Sequence, residues 1–192
     1  VESMPARILV KELDDYFTQF DEIIERNKME KIKTIGDAYM FAGGLPVVNY
    51  TNAIDACLAA LEMQSLMNKA KEIREMLNFP FWEIRIGVHT GNVSAGIVGK
   101  RKYTYDIWGD TVNVASRMES SGVPSKINLS STTYHLVKDF FECEYRGKVT
   151  AKNKGEIDMY FLNGIKEGLS RKGDGRDVPN KLFLELYRKL QA

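Results

Sequence analysis

The sequence has few cysteines and no excess of charge of either sign, and these absences exclude several classes of protein. Its 192 residues include two cysteines, Cys57 and Cys143, which lack metal-ligand spacing and are too few for a disulfide framework. We therefore expect reduced thiols. Lys and Arg total 27 against 26 for Asp and Glu, so neither a general nucleic-acid surface nor an acidic disordered chain is indicated. We expect no nucleic-acid partner, and any site for a polyanion must be local.

A long apolar run is also missing. No stretch reaches the roughly 18 apolar residues that a membrane-spanning helix needs, and nothing near Val1 resembles a signal peptide. Because the sequence begins with Val1 rather than methionine, we expect a fragment of a longer parent protein. We expect this fragment to be cytoplasmic, or to lie at the cytoplasmic face of a membrane-anchored parent protein.

Apolar spacing predicts both helices and strands, which together indicate an α+β fold with helices packed on a mainly antiparallel sheet. The predicted helices are residues 5 to 27, a long helix from Thr51 or Asn52 to about Met76, Asp110 to Met118 with Asp110 or Thr111 as its cap, a helix after Ser130, and Pro179 to Leu190. The predicted strands are a hairpin within Lys31 to Ala42, then Trp82 to His89, Asn92 to Val98, Cys143 to Val149 and Ile157 to Leu162.

A change in composition predicts a boundary near residue 168. Residues 169 to 178 are charged and contain glycine, which is typical of a linker, and a stripe of leucines and aromatics follows at helical spacing. We therefore divide the chain into a domain at residues 1–168 and a linker with a C-terminal amphipathic helix at residues 169–192. The apolar stripe requires a partner, either the surface of the domain itself or a second chain.

Asp37 is a candidate metal ligand. It follows Gly36 at the turn of the predicted hairpin, where a carboxylate is well presented. Magnesium binds through one or two carboxylates together with substrate phosphates, so one exposed Asp can suffice. Ordinary turn chemistry is the alternative interpretation of a Gly-Asp pair.

Asn113 and Arg117 are candidate polar groups of an active site. They lie four residues apart in the helix predicted from Asp110, and this spacing places them on one face. A solvated helix surface is the alternative interpretation of the same pattern.

Two runs resemble the active-site segments of class III nucleotidyl cyclases. They are KIKTIGDAYM at residues 31–40 and KYTYDIWGDTVNVASRMESSG at residues 102–122, and the second resembles the family without a gap. The resemblance extends over residues 5 to 166. It implies the ferredoxin-like class III cyclase fold, a mainly antiparallel sheet covered by helices.

The resemblance also implies roles for individual residues. Asp37 matches the aspartate that holds the catalytic metals, two Mg²⁺ or Mn²⁺ ions. Asn113 matches the residue that orients the ribose, and Arg117 the one that stabilises charge on the transferring phosphoryl group. Lys152, in the lysine-rich turn 151–155, matches the lysine that contacts the triphosphate, although a charged hairpin turn would look the same.

Lys33 and Asp106 match the two positions that read the base, and both favour ATP. A lysine donates to adenine N1, and a carboxylate accepts from the adenine 6-amino group. Guanylyl cyclases usually carry glutamate at the first position and tend to have cysteine or another residue at the second. The resemblance therefore implies an adenylyl cyclase.

The implied reaction is an intramolecular phosphoryl transfer that converts ATP to 3′,5′-cyclic AMP and pyrophosphate. Members of the family carry it out at a head-to-tail dimer interface. We therefore expect a homodimer with shared sites, in which one subunit supplies the metal ligands and the other the base, ribose and phosphate contacts, inside a parent protein with a regulatory domain.

The sequence departs from the family at its start. Class III cyclases begin with a strand ending in a Phe-x-Asp-(Ile/Val)-x-Gly-Phe-like run, which supplies the other metal aspartate, and no such run is present. We expect the chain to start just after that strand and to have little activity without it. A non-catalytic cyclase-homology module and a guanylyl cyclase are the alternative functions.

Overall fold

Helices and strands follow one another along the chain largely as the apolar spacing predicts, and the α+β class is confirmed. The computed structural model describes residues 6–101, 103–151, 155–173 and 176–191. The helices are α1 (Ala6–Arg26), α2 (Asn52–Met76), α3 (Asp110–Ser120), α4 (Ser131–Val137) and α5 (Lys181–Lys189), with a 3-10 turn at Glu167–Leu169. The strands are β1 (Met29–Ile35), β2 (Ala38–Gly43), β3 (Arg85–Val88), β4 (Ser94–Val98), β5 (Thr104–Trp108), β6 (Lys126–Ser130), β7 (Phe141–Ala151), β8 (Gly155–Ile165), β9 (Ser170–Gly173) and β10 (Arg176–Pro179).

A four-stranded sheet in the order β3-β6-β8-β7 forms the centre of the domain. β3 and β6 are parallel, whereas the other two pairs are antiparallel. The remaining described strands form three antiparallel hairpins, β1–β2, β4–β5 and β9–β10. The sheet structure is therefore mainly antiparallel, as expected.

Helices cover both faces of the central sheet. Met159 of β8 packs with Val114 and Met118 of α3 in one buried cluster. Tyr160 and Leu162, whose side chains point to the other face, belong to the larger cluster that contains α2. None of the described helices combines the length and apolar character needed to cross a membrane.

Both cysteines are free thiols, as the sequence predicts. Cys57 lies in α2 and has no exposed surface, while Cys143 lies on β7 and is half-buried. Burial raises the pKa of both thiols, that of Cys143 to about 11. Both thiols are therefore protonated at neutral pH and weakly nucleophilic.

At the N-termini of α2 and α3, the capping interactions differ from those predicted. Thr51 is the N-cap residue of α2, but its hydroxyl donates to Asp55 at 2.8 Å instead of accepting from the backbone. Gly109 is the N-cap residue of α3, and neither Asp110 nor Thr111 caps the helix. The Thr111 hydroxyl donates instead to the carbonyl oxygen of Asn92 at 2.6 Å, which ties α3 to the loop before β4.

The C-terminal region contains more structure than its composition indicates. β9 and β10 pair as a hairpin where the sequence predicts a linker. A two-stranded hairpin is held by backbone hydrogen bonds, so it needs no apolar run that the sequence would reveal. Phe183 of α5 is 1% exposed and belongs to the same core cluster as α2, so the helix packs on the domain itself. The boundary at residue 168 stays a prediction.

Candidate active site

The β1–β2 hairpin presents Asp37 at its tip. Ile35 pairs with Ala38, so Gly36 and Asp37 form a two-residue turn. Gly36 has a φ of +62°, a left-handed conformation that glycine adopts without strain. Asp37 is exposed, and no hydrogen bond or ion pair within the described part of the chain engages its carboxylate. The turn therefore leaves this acid available to a ligand.

Lys33 and Asp106 form an ion pair between two hairpins. The Lys33 Nζ atom lies 2.6 Å from Asp106 Oδ2, although the two residues are 73 positions apart. The backbone N–H of Ile107 donates to the other carboxylate oxygen at 2.8 Å. The bond from Lys33, followed by that from Ile107, lowers the pKa of Asp106. The two predicted base-reading residues thus meet within one chain.

α3 displays Asn113 and Arg117 on its exposed face. Val114 and Met118, on the opposite face, are buried against the sheet and fix the rotation of the helix. The helix sits very close to β3, since a Cβ added to Gly87 would lie 2.1 Å from the backbone nitrogen of Glu119. The predicted polar face is therefore rigidly placed by packing behind it.

A cleft of about 1270 Å³ separates the β1–β2 hairpin and α1 from β3 and α3. Asp37 and Asn113 both line it, whereas Lys33, Asp106 and Arg117 do not. Aromatic and aliphatic side chains form much of the remaining wall: Leu13, Tyr16, Phe17, Phe20, Trp82 and Ile84. Lys152 lies outside the described residues.

The described residues supply a partial set of metal ligands. No three His, Cys, Asp or Glu side chains within the described part of the chain are grouped to hold a metal ion. The other acids along the cleft form ion pairs, Glu83 with Lys71 and Glu119 with Arg85. Asp37 alone fits a divalent cation that takes its remaining ligands from substrate phosphates and water.

Two features near the site were not anticipated from the sequence. β5, which carries Asp106, was not among the predicted strands, because its five residues mix polar and aromatic side chains without clear alternation. The hydrogen bond from the Ile107 N–H to the Asp106 carboxylate was also not predicted. Its donor belongs to the backbone, so the identity of residue 107 does not indicate it.

Comparison with known proteins identifies the family. The sequence profile of the adenylate and guanylate cyclase catalytic domain matches residues 2–164. Human guanylyl cyclase C is 42% identical over 195 residues, which cover 99% of this chain and 17% of that protein. An adenylate cyclase from Mycobacterium bovis is 38% identical over 158 residues, covering 82% of this chain and 35% of that protein. The chain thus spans a small part of these relatives.

Solved structures of cyclase domains share the fold. The guanylate cyclase domain of RhGC from Catenaria anguillulae, in complex with GTP, matches at a TM-score of 0.76 and 30% identity, over 86% of this chain and 88% of that one. The adenylyl cyclase CyaB from P. aeruginosa matches at 0.79 and 27%, over 86% and 87%. The catalytic core of a rhodopsin-guanylyl cyclase with converted specificity, in complex with ATPαS, matches at 0.74 and 31%, over 84% and 86%.

Replacing Lys33 with glutamine should raise the pKa of Asp106, because the largest cause of its depression is removed. Since the folded-state pKa is lowered, the ion pair contributes at neutral pH and is lost as pH falls through that pKa. The ¹³C shift of the Asp106 carboxyl during an acid titration measures the change. Lys31→Gln is the matched control, since Lys31 lies on the same strand but pairs with Asp21. An Asp106 pKa that is equal in both variants would contradict the ion pair.

Proposed function

Because the chain belongs to the adenylate and guanylate cyclase catalytic domain family, we propose that it converts ATP to 3′,5′-cyclic AMP and pyrophosphate. The observation that carries the choice of base is the pairing of Lys33 Nζ with Asp106 Oδ2 at 2.6 Å. A donor and an acceptor held side by side match the adenine edge, which presents the N1 acceptor beside the 6-amino donor. Guanine presents the N1–H donor and the O6 acceptor there, so both contacts would be mismatched.

Overall similarity does not decide between the two bases. Human guanylyl cyclase C is similar to this chain over 99% of the chain, a length that includes the core and the sheet as well as the site. The base, by contrast, is read by a few side chains at the site. The catalytic core of a rhodopsin-guanylyl cyclase with converted specificity, in complex with ATPαS, supports this distinction.

The proposed reaction forms a bond between the ribose 3′ oxygen and the α-phosphorus and breaks the bond from that phosphorus to the β-phosphate bridging oxygen. Asn113 would orient the ribose from the exposed face of α3. Arg117, one turn later, would donate to phosphate oxygens as charge develops, since a guanidinium stays protonated and offers several fixed donors. Lys152 would contact the triphosphate. The proposed metal ions, two Mg²⁺ or Mn²⁺, would neutralise phosphate charge when bound, with Asp37 among their ligands.

We propose that the domain works as a homodimer with shared sites, within a parent protein that carries a regulatory domain. Apolar side chains are exposed around both site hairpins: Ile35 by 60%, Ile97 by 68%, Tyr103 by 76% and Trp108 by 43%. An apolar patch of this kind beside polar site residues is typical of an interface. A second copy of the chain would cover it and complete the site.

A nucleotide-binding module without turnover is the second candidate. It is favoured by the single uncommitted acid, Asp37, along the described part of the cleft. Formation of cyclic AMP by the parent protein in the presence of Mn²⁺ excludes this candidate, whereas calorimetric binding of ATP to the parent protein without product supports it.

The combined change Lys33→Glu and Asp106→Cys should shift the substrate preference of the parent protein from ATP towards GTP. Each mismatched hydrogen-bonding group costs on the order of 1 to 3 kcal/mol, so two mismatches alter the ratio of kcat/KM values roughly thirtyfold to ten-thousandfold. Asn113→Ala is the control, and it should lower turnover with both nucleotides. A GTP to ATP ratio that the double change leaves untouched would show that Lys33 and Asp106 do not read the base.

Mixing two inactive variants of the parent protein tests the shared site. Asp37→Ala and Arg117→Ala should each abolish cyclase activity alone, because every site in each homodimer lacks one group. A mixed dimer has one intact site, so the mixture should regain up to about a quarter of the activity if subunits combine at random. Native mass spectrometry verifies that mixed dimers form. If mixed dimers form but remain inactive, Asp37 and Arg117 of one subunit belong to the same site, and the shared arrangement is wrong.

A further inference from the structure

α5 contacts the residue before the β1–β2 hairpin and the start of α2, the helix that follows the hairpin. Lys28, the residue before β1, donates from its Nζ to the Tyr187 hydroxyl at 3.2 Å. The same hydroxyl donates to Asp55 Oδ1 at 2.5 Å and lies 3.2 Å from Thr51 Oγ1. Thr51 and Asp55 belong to the first turn of α2, which follows the hairpin in the sequence. One side chain from α5 therefore contacts the chain just before and shortly after the hairpin.

The contact with α2 is buried and polar. Asp55 is 2% exposed, and Thr51 Oγ1 donates to its second carboxylate oxygen at 2.8 Å. A buried carboxylate needs donors on both oxygens, and for Asp55 the side chains of Thr51 and Tyr187 supply them. Burial raises the pKa of Asp55, while these two hydrogen bonds oppose that rise. Tyr187 thus donates one of the two side-chain hydrogen bonds that the Asp55 carboxylate accepts.

The contact with Lys28 is made in the turn between α1 and β1, where the Lys28 N–H donates to the carbonyl oxygen of Glu25 at 3.1 Å. Lys28 has a φ of +58°, which is uncommon for a residue with a side chain and persists where its surroundings fix it. Its ammonium group lies 5.2 Å from the centroid of the Tyr187 ring, within range of a cation–π interaction, in addition to the hydrogen bond. Tyr187 therefore contacts the side chain of the residue that directly precedes β1.

α5 itself packs into the core of the domain. Phe183, one turn before Tyr187, is 1% exposed and meets Phe140 and Phe141 edge to face, at centroid distances of 5.0 and 6.0 Å. Asn180 caps the helix by accepting from the N–H of Phe183 at 3.0 Å. The position of Tyr187 is therefore set by the core.

We propose that α5 is part of the nucleotide site's scaffold and that Tyr187 is a positioning residue for the β1–β2 hairpin. Gly43, the last residue of β2, packs against Asn52 at the start of α2, since a Cβ added to Gly43 would lie 2.9 Å from Asn52 Cβ. Because the hairpin carries Lys33 and Asp37, holding Lys28 before it and the start of α2 against its end would place the base-reading lysine and the metal-binding carboxylate. This role rests on the proposed function. Tyr187 and the rest of α5 lie outside residues 2–164, the part of the chain that matches the family model. The proposal therefore gives a role to a segment that this match does not cover.

The Tyr187→Phe variant tests the proposal, because it removes the hydroxyl and keeps the ring in the core. Amide hydrogen exchange, followed without nucleotide, should become roughly tenfold faster within residues 29–43, the loss expected for one hydrogen bond to a charged group. Amides of β7 and β8 should be unaffected. In the parent protein, kcat/KM for ATP should fall by a similar factor.

Two variants serve as matched controls. Tyr145→Phe also removes a hydroxyl that donates to a carboxylate, that of Asp158 at 2.8 Å, but on β7. It should leave exchange within residues 29–43 unchanged. Asp55→Asn keeps an oxygen that accepts from Tyr187, so it should retain hairpin protection close to that of the original protein.

The outcomes separate this proposal from the choice of substrate. Faster exchange confined to the hairpin supports the positioning role, whichever nucleotide the protein prefers. Exchange in Tyr187→Phe that is unchanged, or that rises equally across β7 and β8, overturns it and leaves the assignment of ATP intact. A preference for GTP together with faster hairpin exchange overturns the assignment of ATP alone.

Discussion

The ion pair between Lys33 and Asp106 links two hairpins that share no backbone pairing. β1–β2 and β4–β5 are separate two-stranded units, and each is too small to hold its own position in water. The Lys33 and Asp106 side chains are 36% and 13% exposed, and an ion pair so close to solvent contributes little to stability. Its importance is geometric, because it sets a donor and an acceptor side by side.

Packing behind the site keeps this geometry in place. α3 is fixed by Val114 and Met118 and by its close approach to Gly87 of β3. Tyr187 of α5 contacts Lys28, directly before the β1–β2 hairpin, and Asp55 in the first turn of α2, the helix that follows it. Asp37, Asn113 and Arg117 are exposed, so the core positions them and leaves their polar groups accessible to a substrate. Lys33 and Asp106 are partly buried and hold each other in place.

Local sequence patterns predicted the parts of the site that depend on local chemistry. The Gly36-Asp37 turn and the exposed face of α3 follow from turn preference and helical spacing, and both are found. The direct bond between Lys33 and Asp106 and the contact of Tyr187 with Asp55 join residues 73 and 132 positions apart, so they depend on how elements pack. The short strand β6 was also not predicted: apolar and polar residues alternate over residues 127–130, but the run is only four residues long, and all four are buried because helices cover both faces of the sheet.

The central claim is that this domain, although similar along its length to guanylyl cyclases, reads adenine through Lys33 and Asp106. The most direct measurement supplies the unmodified parent protein with equal concentrations of ATP and GTP and quantifies both cyclic products by mass spectrometry. We expect cyclic AMP to exceed cyclic GMP by roughly thirtyfold or more, because thirtyfold is the lower bound for two mismatched contacts. Equal amounts of the two products, or an excess of cyclic GMP, would contradict it.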